Sequence, residues 1–210
     1  DSETDGLVLL GSGFAVLIDN VKGCLITNAH MVNGASSVYE GNSNIDFVSG
    51  KIIAKNSELD LAVLLLDDPA TLAHMPAATI RTDVSQGEDV TAIGYPKPGD
   101  LGFGSKMSGG MVSALSFLGN SHMLQTDAAI TGGSSGGGLF DADGYLVGIT
   151  SSGYRPDKNT ENVNGAIKAA HLQDVVGSTP CEVNLARNFS AVSQSRQKSA
   201  LHVLAVIAVE

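Results

Sequence analysis

Short apolar runs, separated by turn residues roughly every ten positions, constrain this chain more than any other feature of its sequence. They are Leu7–Leu10, Phe14–Ile18, Cys24–Thr27, Lys51–Ala54, Leu61–Leu66, Val90–Ile93, Met111–Leu115, Met123–Thr126, Tyr145–Thr150 and Gly165–Ala169. Turn chemistry is explicit in Asp19-Asn20, Asn33-Gly34, Lys97-Pro98-Gly99-Asp100 and Asp143-Gly144. Short strands at this spacing predict an all-β fold. Glycines at 94, 99, 102 and 104 place a seam near 96–103, which divides the strands into an early and a late group. Two small barrels with a cleft between them satisfy that division. Beyond about Ser178 the pattern changes. Phe189, Val192, Leu201, Leu204 and Val206 recur at loosely helical spacing, so residues 179–210 read as a C-terminal tail carrying a helix.

Composition narrows the function classes. Twelve Lys+Arg against 22 Asp+Glu give a net charge of -10, a field that repels phosphate backbones, so no nucleic-acid role is expected. No run approaches the ~18 to 20 apolar residues of a membrane span. The chain starts at Asp1 without Met, so it reads as a processed or excised piece with any targeting signal lost from view. Cys24 and Cys181 form neither a CxxC pair nor a disulfide framework; two buried free thiols are the expectation, a single bridge the alternative. No HExxH, paired-cysteine motif or complete phosphate-cradling loop is present, so no metal and no cofactor is implied.

The 25 glycines exceed ordinary usage, and the richest cluster is Thr131-Gly132-Gly133-Ser134-Ser135-Gly136-Gly137-Gly138. A Gly/Ser linker would separate domains, whereas this segment lies directly between Leu124–Ile130 and Leu139-Phe140. Glycines packed between apolar strands suit backbone N–H groups that must face a ligand. A serine nucleophile needs that arrangement, because the oxyanion of acyl transfer is best held by fixed backbone donors. It also needs a histidine base oriented by a carboxylate. His30 ends the run Leu25–Ala29, and Asp60 immediately precedes Leu61–Leu66. Each is weak alone, and the three together are specific.

On these residues the chain resembles the trypsin-like serine proteases, and within them the HtrA/Deg branch, as a protease domain without a PDZ domain. Gly11-Ser12-Gly13-Phe14 and Thr27-Asn28-Ala29-His30-Met31-Val32 resemble the family's glycine-serine-glycine strand and its histidine segment. Asp60-Leu61-Ala62-Val63-Leu64 is similar to the aspartate segment, and Gln125–Ile130 leading to Gly133-Ser134-Ser135-Gly136-Gly137 to the nucleophile segment. Further likeness lies in Glu88–Pro96, Ser108–Leu115 and Asn164–Ile167. The resemblance implies two six-stranded antiparallel β-barrels over residues 1–178, followed by a short C-terminal helix. It implies His30 as general base and acid, Asp60 as its orienting group and Ser135 as nucleophile. Gly133 and Ser135 would form the oxyanion hole, with Ser134 shaping the turn.

Thr131, Gly132, Ser134 and Gly138 depart from the family's usual asparagine, proline, asparagine and proline, which loosens the loop. Ser134 also replaces the aspartate with which zymogen-type trypsins bind a newly cut N-terminus. Ala129, six residues before Ser135, gives a neutral pocket floor beside Ile130, which cannot compensate a buried cation. Cleavage of protein or peptide substrates after small or medium aliphatic residues is expected. Thr150, Ser151, Ser152 and Gly153 would supply the other walls and pair with substrate backbone. A glutamate-preferring pocket using His171 and Thr150 is the alternative.

Two other functions fit less well. A protease-like binding or chaperone module would explain a loosened loop. An α/β-hydrolase esterase would use Gly133-Ser134-Ser135-Gly136-Gly137 as its nucleophile elbow, with His171 and Asp157 or Asp174 as partners. That reading needs a helix after the serine, where three glycines and Leu139-Phe140 stand instead. Family trimers form through aromatic residues near the N-terminus, and Asp1–Leu10 has none. Extracytoplasmic, periplasmic and organellar compartments all agree with the resemblance.

Overall fold

The structure is a computed structural model that describes residues 9–42, 45–94, 106–130, 133–153, 163–186 and 203–209. Its apolar runs are continuous because most strands are buried on both faces. Along β1 (Leu9–Asp19), Ala15 and Leu17 enter one core while Phe14, Val16 and Ile18 enter another. The period-2 alternation of strand side chains therefore separates two apolar environments rather than oil from water.

The first core fills a closed barrel. Besides β1 it comprises β2 (Cys24–Thr27), β3 (Ser37–Asn42), β4 (Ile45–Asn56), β5 (Leu61–Leu66) and a strand near the chain end, Val203–Val209, in the order β1, Val203–Val209, β3, β4, β5, β2. The second barrel uses β7 (Asp89–Gly94), β8 (Lys106–Ala114), β9 (Met123–Thr126), β10 (Gly138–Asp141), β11 (Leu146–Gly153) and β12 (Asn164–Lys168). They pair in the order β10, β7, β8, β9, β12, β11, and pairing of β10 with β11 closes the circuit. Two short strands, β6 (Thr79–Ile80) and β13 (Asn184–Leu185), extend it beyond β11. The expected pair of six-stranded antiparallel barrels is thus the fold found, with one short α-helix among the described residues, α1 (Leu172–Val176).

Between the barrels lies a third apolar region. Phe14, Ile26 and Val63 from the first barrel meet Ile93, Phe140 and Ile149 from the second, all buried. At the customary 25 cal/mol per Å² of apolar surface removed from water, each such side chain contributes about 1.5–3 kcal/mol. This contact holds the two halves of the cleft in register.

Three sequence expectations are corrected. The C-terminal segment is not helical where it is described: Val203–Val209, numbered β14, inserts between β1 and β3. Its Val-Leu-Ala-Val-Ile-Ala-Val run is rich in β-branched residues, with Val203 and Val209 buried on one face and Leu204, Val206 and Ala208 on the other, and burial between two waiting strand edges outweighs the loose helical spacing. The seam is also displaced. Gly94 and Lys106 pair across β7 and β8, so the glycine-rich stretch joins two strands of one barrel. The chain passes from the first barrel to the second sheet between Leu66 and Thr79 instead, and residues 95–105 lie outside the described residues. Finally, Cys24 and Cys181 are joined in a disulfide rather than left as thiols, despite a sequence separation of 157. The barrels bring β2 and the segment after α1 together, which no local spacing could reveal.

That bridge ties the first barrel to the segment leading into β13. A cross-link over so long a loop stabilises by roughly 4–5 kcal/mol on a chain-entropy argument. The Cys24→Ala/Cys181→Ala double variant should therefore unfold at a clearly lower urea midpoint than the oxidised protein. An unchanged midpoint, with two titratable thiols in the unreduced native chain, would contradict the bridge.

One buried charge stands apart. Glu40 on β3 is 1% exposed, and among the described residues no other residue gives either carboxyl oxygen a hydrogen bond. Burial first, and then the neighbouring Asp67, push its pKa up to about 8, so the barrel holds it as the neutral acid at pH 7.

Candidate active site

β2 ends at Thr27, and the chain turns at once into a 3-10 helix, Ala29–Val32, which lifts the His30 side chain out toward solvent. Asp60 lies in the turn between β4 and β5 with φ of 54°, in the left-handed region that disfavours a side chain by roughly 1–2 kcal/mol. Four contacts to residues 28–30 offset that cost. The Asp60 carbonyl accepts from the Ala29 N–H at 3.1 Å and from Asn28 Nδ2 at 3.2 Å. Its Oδ1 accepts from the His30 N–H at 2.9 Å, and its Oδ2 lies 2.8 Å from His30 Nδ1. A carboxylate can only accept, so this network assigns the imidazole proton to Nδ1 and leaves the Nε2 lone pair available. The hydrogen bond to Asp60 raises the His30 pKa above its ordinary value, its Coulombic attraction adds to this, and burial opposes both.

Ser135 comes from the other barrel. Its carbonyl accepts from the Phe14 N–H of β1 at 2.9 Å, and the Phe14 carbonyl accepts from Thr27 Oγ1 at 2.5 Å. Gly136, at φ of 85°, packs so closely that a Cβ there would collide with the Phe14 carbonyl and Thr27 Oγ1. Gly13 is squeezed likewise, since a Cβ would meet the Ser135 carbonyl at 2.7 Å and the side chain of Met31, the residue after His30. β11 grips the loop from behind. Gly136 N–H donates to the Thr150 carbonyl at 2.9 Å, and Thr150 N–H to the Gly137 carbonyl at 2.8 Å. Glycine is therefore required for docking onto β1 and β2, and docking brings Ser135 to the same edge of the first barrel as His30 and Asp60.

Beside this loop opens a cleft of about 180 Å³. Ala129, Ile130 and Thr150 line it with Ser134, as do Met107 and Lys106 of β8. Past Thr150 β11 continues through Ser151, which is buried, to Gly153, which pairs with Asn164. The β7–β8 wall was not visible in the sequence, because nothing local links Met107 to Ala129. Ser108 makes that link physically, its Oγ accepting from the Ala129 N–H at 2.8 Å. Asn164 holds the other side of the same peptide, donating through Nδ2 to the Ala128 carbonyl at 2.9 Å.

His171 takes no part in this site. Its Nδ1 lies 3.2 Å from Asp174 Oδ2 and its Nε2 3.1 Å from His122 Nδ1, beyond the end of β12. The alternatives that made it a pocket cation or a catalytic base are corrected accordingly. The esterase elbow also fails on the fold, since strand β10, not a helix, follows the Ser135 loop. Gly133 has φ of 88° and is exposed, while residues 131 and 132 lie outside the described residues. Among the described residues no group of three or more His, Cys, Asp or Glu is placed to hold a metal ion, and no helix is long and apolar enough to cross a membrane.

The first barrel carries the hydrogen-bonded His30–Asp60 pair and the second the glycine-framed Ser135 loop docked onto it, and residues 11–149 match the family described as the trypsin-like peptidase domain. The chain belongs to that family. Its likeness within the family is to the HtrA/Deg endoproteases. It is 34% identical over 171 residues to the periplasmic serine endoprotease DegP of Salmonella typhimurium, covering 79% of this chain and 34% of DegP. Among solved structures, the HtrA-type protease AlgW with a tripeptide superposes with a TM-score of 0.68 at 33% identity, over 79% of this chain and 55% of that one. The serine endoprotease from Yersinia pestis gives 0.68 at 28% identity, over 84% and 59%. The chain thus spans about a third of the length of the curated relative.

Proposed function

We propose that this chain is the protease domain of a serine endopeptidase acting through an acyl-enzyme on Ser135. The docking of the Ser135 loop onto Phe14 and Thr27, beside the hydrogen-bonded His30–Asp60 pair, is the observation that carries this reading. His30 Nε2 takes the Ser135 hydroxyl proton as Oγ attacks the scissile carbonyl, then returns it to the leaving amine. Asp60 keeps the proton on Nδ1 and stabilises the imidazolium that forms. The N–H groups of Gly133 and Ser135 receive the oxyanion. Water then repeats the sequence on the acyl-enzyme and releases the second product.

Protein or peptide substrates follow from the same reading. They would pair along Ser151–Gly153 as an added strand, with the residue before the scissile bond directed toward Ala129 and Ile130. Lys106 beside those residues adds a like charge that disfavours Arg or Lys there. The Cys24–Cys181 bridge suits an oxidising compartment outside the cytosol. In a peptide library, cleavage after Ala, Val, Ile or Leu should exceed cleavage after Arg or Lys by at least about tenfold. A profile with Arg or Lys on top would overturn the assignment of the pocket.

A further inference from the structure

The direction of an oxyanion donor is set by the plane of its peptide. The Ser135 N–H belongs to the peptide that begins with the Ser134 carbonyl. The peptide between Ser134 and Ser135 is trans, as no cis bond occurs among the described residues, so this N–H points opposite to that carbonyl. Whatever holds the Ser134 carbonyl therefore aims the Ser135 N–H.

Thr150 Oγ1 and the Gly137 N–H both donate to that carbonyl. Thr150 Oγ1 lies 2.7 Å away, and the Gly137 N–H lies 3.3 Å away, near the long limit of a useful hydrogen bond. The hydroxyl is the stronger restraint. It is also well founded: Thr150 is 1% exposed, its own N–H and carbonyl bind Gly137 and Gly136, and its backbone pairs with Ala166 of β12. The loop has little stiffness of its own, because glycines with positive φ stand on both sides, Gly133 at 88° and Gly136 at 85°.

We infer that Thr150 is a positioning residue for the oxyanion hole, its hydroxyl fixing the peptide between Ser134 and Ser135 so that the Ser135 N–H faces the developing oxyanion. The inference rests on Ser135 as the nucleophile and goes beyond a role for Thr150 as a pocket wall. A wall residue acts on substrate affinity and side-chain selection. A group that aims an oxyanion donor acts on the transition state alone, and so on kcat.

Thr150→Val keeps the shape and removes the hydroxyl, whereas Thr150→Ser keeps the hydroxyl and removes a methyl group. Deleting an oxyanion donor outright costs about 10²–10³ in kcat, and a misdirected donor should cost part of that. Thr150→Val should lower kcat by about 10- to 100-fold. KM and the order of preferred residues should stay unchanged, and a peptide boronic acid that mimics the tetrahedral intermediate should bind more weakly by a similar factor. Thr150→Ser should return kcat to within about threefold of the parent, and this holds even if the Val variant proves too unstable to assay. Parent-like kcat in a folded Thr150→Val protein would overturn the inference, as would a loss in Thr150→Ser equal to that of Val. So would an effect confined to KM and side-chain preference. Ser135→Ala, assayed in parallel, separates the two levels. Full activity there defeats the nucleophile assignment itself, whereas an inactive Ser135→Ala beside a parent-like Thr150→Val defeats only the role given to Thr150.

Discussion

Ser135→Ala should lower kcat for peptide hydrolysis by on the order of 10⁶-fold, with the melting temperature changed by no more than a few degrees. The two halves of that expectation have separate causes. The loop is held through backbone atoms, by Phe14 to the Ser135 carbonyl and by Thr150 to its neighbours, so the scaffold does not need the Ser135 hydroxyl. The chemistry does need it, because every step of acyl transfer runs through Oγ. Residual hydrolysis over water would come from backbone donors and substrate binding alone. Ser134 supplies the internal control. Its carbonyl is turned inward to Thr150 and Gly137, and Ser134→Ala should leave kcat within about tenfold of the parent. Steady-state kinetics on both variants check the pair, and a reversal of the two effects would transfer the nucleophile to Ser134.

Asp60→Asn carries the second large effect, a fall of about 10⁴ in kcat at neutral pH. The geometry dictates how the new amide must sit. Oδ1 of Asp60 faces the His30 backbone N–H, which can only donate, so the amide oxygen of an asparagine takes that place. Its NH₂ then occupies the position of Oδ2, 2.8 Å from His30 Nδ1, and donates to it. The imidazole proton is forced to Nε2, where the attacking serine needs a lone pair. The pH profile gives an independent readout. A general base must be neutral, so activity in the parent rises as pH passes upward through the His30 pKa, which Asp60 holds above its ordinary value. Removing the carboxylate removes the largest cause of that shift, and the acidic limb should move to lower pH. A loss smaller than tenfold, or a limb that does not move, would contradict the role of Asp60.

Some of this was legible in the sequence because burial was simple. Cys24–Thr27, Leu61–Leu66 and Met123–Thr126 read as apolar runs and are strands with the same ends, since barrel and interface bury both faces of the first two. β3 escaped notice because Ser37-Val38-Tyr39-Glu40-Gly41-Asn42 looks polar, and its one buried carboxyl is accommodated only by becoming neutral. β14 departs from the loosely helical spacing of Leu204 and Val206 because a run of seven apolar residues shows no alternation; only the vacant edges of β1 and β3 decide its form. At the site, residue types and their order pointed to His30, Asp60 and Ser135. The sequence could not convey the anchoring of Ser135 on Phe14, the cleft wall at Met107, or the hydrogen bond from Thr150 to Ser134. Each of these joins positions whose proximity exists only after two barrels have closed.

Labelling the native protein with a fluorophosphonate tests the central claim most directly. The reagent reacts only with a serine whose hydroxyl is activated and whose oxyanion site is formed, so a single experiment interrogates nucleophile, base and hole together. Intact mass should show one adduct per chain, peptide mapping should place it on Ser135, and Ser135→Ala should abolish it. An adduct on Ser134 or another serine, or no adduct on folded protein that cleaves peptides, would contradict the account.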